Sequence, residues 1–129
     1  MAADKDTLDQ VETLEARNQR RLSAYVINFR RTFLGREIFK PGVVLQMHEI
    51  SVADIYESAG RFREMSEDVE IHGSGFAPSK PFQIEFQIND MLDAAARVAL
   101  STSRFEWRVV YAALLLHKFL KIHPFLDGN

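Results

Sequence analysis

The sequence predicts an all-α bundle carrying one small β-hairpin flap, on three observations. Apolar residues recur at helical spacing along most of the 129 residues; glycines and prolines cluster between the periodic segments; and the single extended stretch is short. The length suits one domain with a real core. An apolar fraction of 47% and a charged fraction of 26% exclude a disordered chain.

The first helix is expected from residue 6 to about 34, in one or two segments. Asp6 or Thr7 can cap it, Leu8, Val11, Leu14, Leu22, Tyr25, Val26, Phe29 and Phe33 recur on one face, and Gly35 ends it. A second helix opens near Pro41, a residue suited to a first turn, and runs to about Ser58. Its buried stripe is Val44, Leu45, His48, Val52, Ile55 and Tyr56, with Gly60 as the stop. Glu67 to Phe82 differs in kind. Val69 and Ile71 read as extended, Gly73-Ser74-Gly75 as a turn, and Pro78 and Pro81 as blocks to helix, which makes a hairpin or flap. Helix resumes from about Gln83 to Leu100, with Ile84, Ile88, Met91, Leu92, Ala95 and Val98 on one face. After Ser101-Thr102-Ser103 a last helix runs from about Phe105 to Ile122. It is apolar nearly all round, which predicts a central position, and Pro124 stops it.

A net charge of -2 makes no general electrostatic case for nucleic acid or an anionic membrane. The basic clusters at Arg17-Asn18-Gln19-Arg20-Arg21 and Arg30-Arg31 have acidic neighbours and read as solvated faces. The absence of cysteine excludes disulfides, thiolate zinc sites and a cysteine nucleophile. Acidic residues through the first turns exclude a secretory h-region there, and Val109 to Leu116 falls far short of the ~20 residues that span a bilayer. A cytoplasmic protein is the expectation.

The densest chemistry closes the chain: His123-Pro124-Phe125-Leu126-Asp127-Gly128-Asn129. An imidazole accepts a proton near neutral pH, a carboxylate can hold magnesium, and a glycine lets backbone N–H groups approach a phosphate. Taken singly, each has a plainer reading. A histidine at a helix end meets the last carbonyls, and Asp-Gly-Asn is ordinary turn sequence. Phe125 reads as a buried anchor for the loop. His48 and His117, on apolar helix faces, read as packed, hydrogen-bonded core residues, His72 as an exposed hairpin residue, and Arg63 as a structural arginine at a helix end. Gly73-Ser74-Gly75 lacks the lysine and setting of a phosphate loop.

The terminal residues resemble the signature loop of the Fic (filamentation induced by cyclic AMP) family, in its HPFx(D/E)GNGR form. His117, six residues earlier, stands where that family often has a histidine. Tyr56 to Arg63 resembles the family's AGxxR helix end, and Val69 to Pro78 its hairpin flap. The resemblance covers roughly residues 42 to 129 and implies a Fic-type helical core over 41–129, incomplete at its C-terminus, behind an N-terminal helical extension over 1–40. It implies protein adenylylation (AMPylation), in which AMP passes from ATP to a Ser, Thr or Tyr hydroxyl of a target protein. His123 would be the catalytic base, Asp127 the ligand of Mg²⁺ or Mn²⁺, and Gly128 and Asn129 part of the nucleotide-binding turn. Val69, Glu70, Ile71 and His72 would form the flap that docks the target as an added strand.

The family pattern continues with a second glycine and an arginine that grips the β/γ phosphates, followed by a helix. None of these lies within the 129 residues, so the chain as written is expected to be nearly inactive and to self-associate through uncovered apolar faces. Two alternatives stand beside adenylylation: a relative transferring phosphate, UMP or phosphocholine, and a degenerate, non-catalytic binding protein. Gly128 favours AMP, since kinase-like relatives usually have alanine there. Many relatives are held off by a helix carrying Ser/Thr-x-x-x-Glu-Gly/Asn, and Thr13 to Asn18 is the segment here nearest to that pattern. Arg17 replaces the glutamate, which argues against self-inhibition by this helix and leaves open an inhibitory segment beyond residue 129 or on a separate antitoxin chain.

Overall fold

The computed structural model describes residues 5–32, 39–67, 69, 75, 77–101 and 104–129. Four helices build this part of the chain: α1 (Lys5–Thr32), α2 (Pro41–Val52), α3 (Pro81–Ser101) and α4 (Phe105–Ile122). The all-α expectation holds. Among the described residues no strand is present. The hairpin expected over Glu67 to Phe82 is not seen in its described part, where Pro81 and Phe82 already belong to α3; residues 68, 70–74 and 76 lie outside the described residues, as do Phe33 and Gly35 at the expected end of α1.

Pro41 opens α2 as expected, and Lys40 before it is extended at φ -117, the region a following proline favours. The helix stops six residues short of the expected Ser58. Ala53 leaves helical geometry and Asp54 turns the chain at φ 64. The cause is tertiary. Asn18 on α1, wholly buried, donates through Nδ2 to the Ser51 and Ala53 carbonyls at 3.3 and 2.9 Å. Arg17 donates to Ala53 O at 3.3 Å and pairs with Asp54 at 2.8 Å, while also holding Asn18 Oδ1. Carbonyls orphaned at a helix end need partners, and α1 supplies them. The basic cluster is therefore divided. Gln19, Arg20 and Arg21 are solvated as expected, whereas Arg17 and Asn18 are structural.

Pro81 corrects a second expectation, since it begins α3 and does not block it. A first-turn proline lacks an N–H that the helix would leave unpaired anyway. Gln83 closes that turn, its Oε1 accepting from Lys80 N–H at 3.3 Å. Ile84, Ile88, Met91 and Leu92 of α3 form the core with Ile122 of α4, flanked by Phe39, Val44, Phe62, Leu115 and Phe119.

α1 lies along α2, α4 along α3, and α2 meets α3. The central position expected for α4 is not observed. Trp107, Val109, Val110, Leu114, Leu116 and Leu120 are each between 44% and 59% exposed, and Ile122 is its only buried residue. An apolar sequence states what a helix prefers to face; one neighbouring helix covers only one of its sides. His117 on this helix is likewise exposed, correcting its expected core role. Exposed apolar area of this extent promotes association. In sedimentation experiments the chain is expected to gain mass with concentration, and a constant monomer mass would contradict this. No helix among the described residues is long and apolar enough to cross a membrane.

Candidate active site

α4 delivers its end to a tightly held loop. His123 follows the helix in the left-handed region at φ 51 and ψ 62, its N–H donating to Phe119 O at 3.0 Å. A β-carbon in that region, with a proline next, costs on the order of 1–2 kcal/mol. The surroundings hold it there. Arg63, 4% exposed, donates from Nε to His123 O at 2.6 Å and from Nη2 to Ile122 O at 3.2 Å and to Ser79 O. The Arg63 backbone N–H donates to Pro124 O at 2.9 Å, and Ser79 N–H to Ile122 O at 3.3 Å. The expected role of Arg63 is confirmed in kind, but its partners lie on a distant helix end.

The same guanidinium sets the electrostatics. Burial first, then the Arg63 charge, lowers the His123 imidazole below its ordinary value of 6.5, against a hydrogen bond to the Leu120 backbone that raises it. The shift favours the neutral ring, the form able to accept a proton, in this partly buried position.

Beyond His123 the loop closes on itself. Phe125 N–H donates to Asn129 Oδ1 at 2.8 Å, and Asn129 Nδ2 donates to Phe125 O at 2.7 Å. Phe125 is 2% exposed, its ring stacked on His48 with centroids 3.7 Å apart. His48 Nε2 meets Asp127 O at 2.7 Å, and Gly60 N–H donates to His48 Nδ1 at 3.1 Å. The buried, hydrogen-bonded role expected for His48 is what the structure shows, and burial lowers its basicity.

Gly128 has φ +72, and a Cβ there would stand 2.6 Å from Val52 Cγ1. Gly128→Ala combines left-handed strain with a clash against a buried helix end. It is expected to lower stability by about 1–3 kcal/mol, read as a drop in melting temperature. An unchanged melting temperature would show that the loop does not rest on α2.

His123, Asp127, Gly128 and Asn129 thus share one loop at the end of α4. Val69 is described and partly buried, but Glu70, Ile71 and His72 lie outside the described residues. Among the described residues no group of three or more His, Cys, Asp or Glu is placed to hold a metal. Asp127 is a single hard oxygen donor, which suits a magnesium-type ion whose other ligands are water and phosphate. Sequence reasoning missed His48, Val52 and Gly60 as neighbours of this loop. The only signal was that His48 and Val52 share the inward stripe of α2.

Fold and loop together define an all-helical domain whose last helix ends on a histidine-led loop carrying a carboxylate and a glycine. The model of the Fic/DOC family matches residues 38–129, and the chain belongs to that family. Fic proteins are, as a class, transferases. No curated protein matches the chain.

Proposed function

We propose that the protein is a Fic-type adenylyltransferase moving AMP from ATP to a hydroxyl of a target protein. The supporting observation is His123, partly buried at a helix end where Arg63 grips its carbonyl, with burial first and the Arg63 charge second lowering the imidazole below its ordinary value. In the reaction the target oxygen attacks the α-phosphorus, its proton passes to the His123 ring, and the bond to the leaving pyrophosphate breaks. Asp127 would hold Mg²⁺ or Mn²⁺, which when bound offsets triphosphate charge. The backbone at Gly128 and Asn129 would receive phosphate oxygens. Asn129 also braces the loop through its carboxamide, a duty independent of nucleotide.

The test is transfer of labelled AMP from ATP to protein. His123→Ala should reduce transfer by about 10²–10⁴-fold, the usual worth of a general base. Because burial and then the Arg63 charge lower the imidazole, the rate should fall as the pH drops and the ring gains its proton, with that fall displaced to lower pH than for an ordinary histidine. Full transfer by His123→Ala would defeat the proposal.

A further inference from the structure

His48 takes no part in the chemistry above, yet it is buried and both of its ring nitrogens are engaged. Gly60 N–H donates to Nδ1, so Nδ1 must offer its lone pair and carry no proton. The ring's proton therefore sits on Nε2 and is donated to the Asp127 carbonyl. Ring rotation is blocked by the stack on Phe125, with planes 2° apart. No nitrogen is left over for a metal.

The consequence lies in the peptide plane between Asp127 and Gly128. A trans peptide directs its C=O and its N–H to opposite sides. No cis peptide is present among the described residues. Drawing the Asp127 carbonyl onto α2 therefore turns the Gly128 N–H away from α2. Gly128 itself is exposed while Val52 blocks any side chain beneath it, so the outward face of this glycine is bare backbone.

We propose that His48 is a positioning residue, which by gripping the Asp127 carbonyl and leaning on Gly60 aims the Gly128 N–H outward as an anion donor. That the anion is a nucleotide phosphate rests on the adenylyl-transfer reading; the aiming does not. The nearest side-chain replacements divide the function. Glutamine can keep the donor to Asp127 O and loses the acceptor for Gly60. Asparagine can keep the acceptor and loses the donor. Phenylalanine keeps the stack and loses both.

The experiment is amide NMR on the full 129-residue chain and three variants, His48→Gln, His48→Asn and His48→Phe, with Ile88 N–H protection in the core as the check on folding. The Phe125 N–H, bonded to Asn129 Oδ1, reports loop closure. Its exchange should quicken by about tenfold, the worth of one hydrogen bond, in His48→Phe and His48→Asn, while His48→Gln stays near wild type. Gly60 exchange should quicken in His48→Phe and His48→Gln and stay slow in His48→Asn. The wild-type ring should show its proton on Nε2. A ring protonated on Nδ1, or loop exchange in His48→Phe equal to wild type, overturns the proposal. So does His48→Gln exchanging at the Phe125 N–H as fast as His48→Asn, a comparison that stands even where His48→Phe fails to fold. Mg·ATP then separates the two readings: it should shift the Gly128 amide in wild type and His48→Gln but not in His48→Asn. An absent shift in wild type counts against nucleotide binding and leaves the exchange pattern to judge His48.

Discussion

Arg63→Ala is expected to remove about 3–5 kcal/mol of folding stability, a large share of the 5–15 kcal/mol typical of a domain. One guanidinium serves the carbonyls of Ser79, Ile122 and His123 from a position that water scarcely reaches. Its removal leaves the last carbonyls of α4 short of partners and releases the left-handed turn at His123. Arg63→Lys should recover little, because a single ammonium cannot reproduce the fork that spans Nε and Nη2. The loss would appear as a lower denaturant midpoint. A second readout is independent of stability. Without the nearby positive charge, the His123 imidazole should titrate at higher pH than in the wild type, as followed by its ring proton shifts. An unfolding free energy within about 1 kcal/mol of wild type, with unaltered titration, would mean that Arg63 neither supports nor polarises the site.

Phe125→Ala is the second large expectation, at about 3–5 kcal/mol. The ring lies on His48 and within 5.6 and 6.2 Å of the Phe62 and Phe119 centroids, so it joins the loop to α2, to the segment after it and to α4. A cavity at that junction cannot collapse without moving His48 or Phe119. Phe125→Leu fills part of the space and should cost roughly half as much. Equal stability of Phe125→Ala and wild type in thermal unfolding would show that the loop is held by its hydrogen bonds alone.

What could be read from the chain follows the distance over which each signal acts. Pro41 opens α2 through its own fixed φ, and the stripe Ile84, Ile88, Met91, Leu92 marks the buried side of α3 by spacing alone. The proposed site residues His123, Asp127, Gly128 and Asn129 could be singled out because they fall within one short stretch of chain. The end of α2 was not, since nothing between Ala53 and Ser58 forbids helix; Asn18, more than thirty residues earlier, ends it. Nor was the exposure of α4, because periodicity carries no information on what a face meets. The supports of the loop escaped for the first of these reasons. Arg63 reaches His123 across 60 positions and His48 reaches Asp127 across 79. Gly128 could be read as leaving room for a phosphate, but its contact with Val52 gives it an unrelated reason to lack a side chain.

The clasp between α1 and α2 bears on where this protein can be divided. The family match begins at residue 38, downstream of Arg17 and Asn18. Yet those two side chains seal the helix that carries His48 and Val52 to the loop. A fragment cut at the family's edge would discard the stopper from the end of that helix. The stretch that defines kinship is thus shorter than the stretch that makes a self-sufficient scaffold.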